Sequence, residues 1–229
     1  MKSKRIILIR HGQSLGNVNK EIYKTRPDYS LPLTDEGQSQ AHEAGQSLSK
    51  LCKNETVKFY YSPFWRTRQT YQIIDQYFDN TKVGKPYEDP RIREQEWGHK
   101  RGVEYNENLE NERDAYGHFY WRFPDGESCA DVFDRISDFL NTLFREFDKP
   151  DNPENSIIVC HGMTMRVFLM RFFHLTVEEF EALANPNNCE YWVLELMENG
   201  RYQLITPVKR YEKYNHEYQY DWNFIHSKI

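Results

Sequence analysis

Residues 5–17 read Arg-Ile-Ile-Leu-Ile-Arg-His-Gly-Gln-Ser-Leu-Gly-Asn, and their pattern decides the fold. Ile6 to Ile9 form an apolar run that is too short for a helix. It is continuous rather than alternating, as expected for a strand buried on both faces of a parallel sheet. Ile157 to Cys160 repeats the pattern late in the chain, ahead of His161-Gly162, so each strand ends in His-Gly. Between the two runs the period changes to that of helices. Thr34 caps a helix with Asp35 and Glu36 in its first turn and Ala41, Ala44, Leu48 and Leu51 along one face. Val57 to Tyr61 reads as a weaker strand. Ser62 followed by Pro63 has the form of a helix start, with Thr70, Ile73, Ile74, Tyr77 and Phe78 as its buried stripe. Ser128 caps a longer helix with Val132, Ile136, Phe139, Leu140, Leu143, Phe144 and Phe147 on the apolar face. Strands alternating with amphipathic helices predict an α/β three-layer sandwich: a mostly parallel central sheet covered by helices on both faces, with ligands at the carboxyl ends of the strands.

Length and charge narrow the function. The 229 residues are read as a single domain, 1–229, with an insertion at 98–123 and a C-terminal tail at 207–229. The insertion is rich in charge, Asn and aromatic residues without a clean period and is expected to be partly helical. Thirty Lys and Arg against 35 Asp and Glu give a net charge of −5, too acidic for a protein that grips nucleic acid. Cys52, Cys129, Cys160 and Cys189 lack C-x-x-C spacing and read as reduced thiols. The start, MKSKRIILIRH, has too few apolar residues for a signal peptide or a membrane span, so a cytoplasmic protein without a membrane partner is expected.

The turn from Arg10 to Asn17 is suited to an anion. A strand-to-helix turn offers backbone N–H groups, Arg10 adds a charged planar fork, and Gly12 allows close approach. A neutral imidazole among such cations can act as a nucleophile toward phosphorus, because the positive surroundings resist its protonation. Taken singly, each residue has an ordinary alternative. His11 after a buried strand is commonly a hydrogen-bonded packing residue, and Arg66 a surface ion-pair residue. Arg91, Arg93 and Glu94 fit a solvated charge run, and Glu127 with Ser128 a plain helix start. The aromatic residues Phe64, Trp65, Trp97, Phe119, Tyr120 and Trp121 mostly report packing. The histidines show no metal-ligand spacing, and neither a P-loop nor G-x-G-x-x-G is present, so no metal and no cofactor is expected.

Taken together, these strings resemble the histidine phosphatase superfamily, also called phosphoglycerate mutase-like. Its motifs occur in order: Arg10-His11-Gly12 with Asn17, Ser62-Pro63-Phe64-Trp65-Arg66-Thr67, Arg91-Ile92-Arg93-Glu94 with Trp97-Gly98, Gly126-Glu127-Ser128 and His161-Gly162. The resemblance spans roughly residues 4–206. It implies a phosphoglycerate mutase-like fold and a phosphatase-type enzyme. In that reading His11 becomes transiently phosphorylated, Glu94 gives and takes the proton, and Arg10, Arg66 and His161 share the catalytic site. Phosphate would be bound by Arg10, Asn17, Arg66, His161 and Gly162. The implied partner is a small phosphorylated substrate, with a phosphopeptide left open and the oligomeric state undetermined.

Two other functions compete with that expectation. A cofactor-dependent phosphoglycerate mutase uses the same phosphohistidine but must retain its substrate through reorientation, which demands extra cations and a lid. Here the stretch between Glu94 and His161 is short for a mutase, Gln13 stands where mutases carry Glu, and Trp97 where they carry Tyr. Arg101-Gly102 leaves some cationic capacity. A non-catalytic phosphate-recognising scaffold is the rival from another class, but such a domain is expected to lack a nucleophile or donor, and none is missing.

Overall fold

In a computed structural model, residues 2–78, 81–98 and 107–211 are described. Residues 99–106 of the expected insertion and the tail from 212 onward lie outside them, and with them Arg101, Gly102, Tyr214, Tyr218, Tyr220, Trp222 and Phe224. The described elements run β1 (Arg5–Arg10), α1 (Leu15–Val18), α2 (Asp35–Leu51), β2 (Val57–Tyr61), α3 (Trp65–Asp75), β3 (Tyr87–Glu88), α4 (Glu107–Tyr116), α5 (Cys129–Phe147), β4 (Asn155–Cys160), α6 (Gly162–Phe173), α7 (Val177–Ala182), β5 (Tyr191–Leu196) and β6 (Tyr202–Leu204). Short 3-10 turns occupy Lys20–Lys24, Asp28–Ser30 and Pro90–Ile92.

The sheet has the order β3-β2-β4-β1-β5-β6. β3, β2, β4 and β1 are mutually parallel, and β5 and β6 join antiparallel at one side. Alternation along β1 explains why its apolar run has no polar face. Ile6 and Leu8 enter the core beneath α5 and α6, whereas Ile7 and Ile9 enter the opposite core with Ala44, Leu48 and Ile74 of α2 and α3. Both faces are therefore covered, as the sequence predicts.

The caps follow the sequence in two of three helices. Thr34 Oγ1 accepts from Gly37 N, and Ser128 forms a capping box with Asp131. In α5 the stripe from Val132 to Phe147 is buried except for Phe144, which is 43% exposed. At 100° per residue, Phe144 falls about 40° beyond the edge of that stripe. Replacing Phe139, a fully buried member of that stripe, with Ala is expected to cost ~3–5 kcal/mol. The third helix departs from expectation. α3 starts at Trp65 with Phe64 in the cap position and no side-chain cap, so Ser62 is free for another partner. All four cysteines are free, and no helix among the described residues is long and apolar enough to cross a membrane.

Candidate active site

The register of the two central strands brings the distant His-Gly pairs together. Arg10 of β1 lies opposite Cys160 of β4, so the next residue on each strand is a histidine at the same carboxyl edge. The His11 N–H donates to the Cys160 carbonyl at 3.0 Å, and the His11 and His161 rings meet edge-on with centroids 5.2 Å apart. Both are buried, at 3% and 0% exposure.

Partner chemistry sets the tautomer of His11. Nδ1 lies 2.7 Å from the Gly12 carbonyl, which can only accept, so Nδ1 carries the proton. Nε2 accepts from Arg66 Nε at 3.1 Å and therefore bears the lone pair. Burial, then Arg66 and Arg10, hold the imidazole well below its usual pKa, so the ring is neutral. The result is an unprotonated nitrogen within a cationic pocket.

His161 is arranged the other way round. Its Nε2 is 2.8 Å from Ser62 Oγ, while its buried Nδ1 has no hydrogen-bond partner. Ser62 Oγ takes the Phe64 N–H at 3.4 Å and keeps a hydrogen that it can give to His161 Nε2, an arrangement in which the ring proton sits on Nδ1. The Phe64 ring backs His161 at 5.1 Å and supports the Arg66 guanidinium at 4.8 Å. Burial and the nearby Arg66 push the His161 pKa well down.

Arg66 is the second residue of α3 and only 4% exposed, so it is not a surface ion-pair residue. Its Nη1 donates to the backbone carbonyl and Oδ1 of Asp28, at 2.9 and 2.8 Å. Arg10 Nη1 donates to the Pro186 carbonyl at 2.6 Å, while its Nε is buried without a partner. Gly162, first residue of α6, abuts that Nε: a Cβ there would stand 3.7 Å from it and 3.1 Å from Asn185 Oδ1.

Glu94 reaches the same edge from a non-regular segment. Oε1 accepts from Gln95 N at 3.1 Å, and Oε2 stands 3.5 Å from the N–H of Met163 in the first turn of α6. Burial raises its pKa against the pull of these N–H groups, Arg66 and Arg10. The segment is held by Arg135 of α5, which donates to the carbonyls of Arg91, Arg93 and Glu94 at 2.6, 2.8 and 3.1 Å and pairs with Glu127. Arg93 also pairs with Glu127, and Arg91 with Asp89 and Asp138. Of that charged string, Glu94 alone carries its carboxylate to the His161-Gly162 edge, and its neighbours form the frame.

Two expectations need correction. The backbone N–H groups of residues 11–15 do not form an anion cradle, because each has an internal acceptor: Cys160 O, Thr70 Oγ1, Gln40 Oε1, Asn17 Oδ1 and Pro32 O in turn. Gly12 is required instead by the chain itself, since a Cβ there would lie 2.3 Å from the Gly37 carbonyl. Asn17 is found in this turn, its Oδ1 accepting from Ser14 N, Ser14 Oγ and Asn188 Nδ2. Asn188 in turn donates to the His11 carbonyl at 3.1 Å, which ties Asn17 to the site.

Sequence reasoning sets Phe64 aside as packing and misses Asp28, Ser62 as a histidine partner, Arg135, Asn188, Lys20 and Tyr23. The last two sit on the 3-10 turn that faces the arginines. Burial, then Arg10, lower the Lys20 ammonium pKa, and burial with Asp28 raises the Tyr23 phenol to about 12. No group of three or more candidate metal-ligating side chains occurs among the described residues.

Comparison with known proteins identifies the family. A phosphoglycerate mutase-like protein of Arabidopsis thaliana, AT74H, is 40% identical over 244 residues, covering 100% of this chain and 85% of that one. The broad-range acid phosphatase DET1 of Saccharomyces cerevisiae is 31% identical, covering 90% of each chain. The solved mycobacterial glucosyl-3-phosphoglycerate phosphatase superposes with a TM-score of 0.70 at 22% identity, covering 90% of this chain and 100% of that one, a likeness of fold. The model of the histidine phosphatase superfamily, branch 1, matches residues 6–206, which include both strand-end histidines, Arg66 and Glu94. The chain is a member of the histidine phosphatase superfamily.

Proposed function

We propose that the protein hydrolyses phosphomonoesters of small molecules through a phosphohistidine formed on His11. The observation that carries this reading is the neutral His11 ring with its lone pair on Nε2, set between two arginines and opposite the unpartnered Nδ1 of His161. The acid phosphatase relative supports it.

In the first step Nε2 forms a bond to phosphorus as the P–O bond to the leaving group breaks, and Glu94 gives its proton to the departing alkoxide. Negative charge spread over the transferred oxygens is met by Arg10, Arg66, His161 Nδ1–H, the Gly162 N–H and Asn17. The Gly12 carbonyl at Nδ1 steadies the positive charge that builds on the imidazole. In the second step water attacks phosphorus and passes its proton to the Glu94 carboxylate. The N–P bond breaks, releasing phosphate and restoring neutral His11. These roles are all filled by side chains and backbone of residues 10–162. Four free cysteines fit a reducing compartment such as the cytoplasm.

The test is phosphate release from 4-nitrophenyl phosphate at mildly acid pH by the wild type and by His11→Ala. Turnover that vanishes with His11 supports the reading, and turnover retained in the variant overturns it. Isomerisation of 3-phosphoglycerate that needs a bisphosphorylated cofactor and outpaces hydrolysis would assign a mutase instead.

A further inference from the structure

We propose that Asp28 is a positioning residue for Arg66: by holding Nη1 it turns the opposite, Nε/Nη2 edge of the guanidinium toward His11 as a bidentate phosphate grip. The proposal rests on the phosphatase reading above. It comes from counting donors. A guanidinium has five N–H groups, and the Nε–H and one Nη2–H run parallel along one edge, the geometry that matches two phosphate oxygens. Both hydrogens of Nη1 are taken by Asp28, one by its backbone carbonyl at 2.9 Å and one by Oδ1 at 2.8 Å. Nη2 has only a long contact to Asp28 Oδ2 at 3.5 Å, and Nε points at His11 Nε2 at 3.1 Å. The edge facing the nucleophile is thus the one left for a ligand.

The same count gives the sequence of events. A phosphate entering between Arg66 and His11 takes over the Nε–H, which releases the His11 lone pair toward phosphorus. Asp28 keeps Nη1 throughout. A carboxylate that merely occupied an empty phosphate site would engage the Nε/Nη2 edge, whereas this one sits across the Nη1/Nη2 end, close to Nη1 and distant from Nη2, and shares Nη1 with its own backbone carbonyl. The contact therefore belongs to the 3-10 turn Asp28–Ser30. Phe64 beneath the guanidinium fixes the remaining freedom, the tilt of the plane. The other charged or titratable groups around the pair are Arg10, Lys20, Tyr23, Glu94 and His161, of which Lys20 and Tyr23 share the segment leading to Asp28.

The experiment is a double-mutant cycle of Asp28→Ala and Arg66→Ala, with Asp28→Asn as the conservative variant. It is read as kcat and KM on 4-nitrophenyl phosphate and as inorganic phosphate affinity by calorimetry. Loss of a preorganised donor costs on the order of 10²–10³ in rate, and Asp28→Ala, which misaligns Arg66 without removing it, is expected to lower kcat by ~10–100-fold with a smaller change in KM. Asn keeps an oxygen for Nη1 and should recover part of that loss. In the Arg66→Ala background Asp28→Ala should change neither readout further. Equal effects of Asp28→Ala in both backgrounds, or an unchanged kcat in the single variant, overturn the proposal. If the wild type shows no His11-dependent turnover, the phosphatase reading fails on its own account. The phosphate-affinity cycle then decides for Asp28, with coupling to Arg66 upholding the proposal and additivity refuting it.

Discussion

Replacing Glu94 with Gln should separate substrates by their leaving groups. The variant keeps the size of the side chain and an oxygen for the Gln95 N–H at 3.1 Å, so the fold should be unaffected. What it removes is a carboxyl whose pKa burial raises against the pull of its neighbours, so that it holds its proton to a higher pH than a free carboxyl does. General acid catalysis of this kind contributes ~10²–10⁴-fold, and at 1.36 kcal/mol per tenfold that is about 2.7–5.4 kcal/mol of barrier. An alkyl phosphate, whose alkoxide cannot leave unprotonated, should lose that whole factor in kcat/KM. 4-Nitrophenyl phosphate leaves without a proton and should lose less than ~10-fold in the first step, by the same logic. The second step still lacks its base, so mixing excess 4-nitrophenyl phosphate with the variant should release a burst of nitrophenol close to one equivalent, followed by slow turnover. The assay is stopped-flow absorbance for the burst, with steady-state kinetics across phosphate esters of graded leaving-group pKa. Equal losses for alkyl and aryl esters, with no burst, would refute the assignment of Glu94 as the proton carrier.

Acid should destabilise the protein through the paired histidines. Both have depressed pKa values in the folded state, so below about pH 6.5 the unfolded chain binds more protons, and each histidine removes up to about 1.4 kcal/mol of stability per pH unit. The raised Glu94 pKa works in the opposite sense, so urea melts between pH 7 and pH 5 should show a steeper loss in Glu94→Gln than in the wild type. Ser62→Ala strips a buried imidazole nitrogen of its 2.8 Å partner and should cost ~1–3 kcal/mol, with nitrogen-15 NMR of His161 showing a mixture of tautomers. An unchanged spectrum would mean that Ser62 does not set the proton. Gly12→Ala would drive a Cβ to 2.3 Å from the Gly37 carbonyl, with backbone on both sides, and should lower stability by at least ~1–3 kcal/mol. A melting temperature equal to that of the wild type would count against this close approach.

The sandwich and the pairing of His11 with His161 were legible because both depend on local pattern. Ile6–Ile9 and Ile157–Cys160 are continuous apolar runs, and parallel strands align their carboxyl ends. Thr34 and Ser128 were legible for the same reason, since a cap bonds to residues three positions away. Ser62 was misread because its hydroxyl had two possible partners, the nearby start of α3 and a histidine 99 residues distant, and local spacing reveals only the first. Asp28 was invisible on similar grounds: its carboxylate lies 38 residues from Arg66 and belongs to no motif. The turn amides illustrate the reverse error. Their position after a strand suggested an anion cradle, yet residues such as Thr70 and Gln40 reach them from helices that local spacing does not relate to that turn.

The engagement of those amides also bears on how the protein would respond to its surroundings. A phosphate held by main-chain N–H groups meets fixed dipoles that neither titrate nor attract a counterion atmosphere. In the proposed mechanism the grip falls chiefly to the guanidinium groups of Arg10 and Arg66, whose attraction for phosphate weakens as ionic strength rises. Substrate capture should accordingly drop with added salt, more than in proteins that cradle phosphate in a glycine loop.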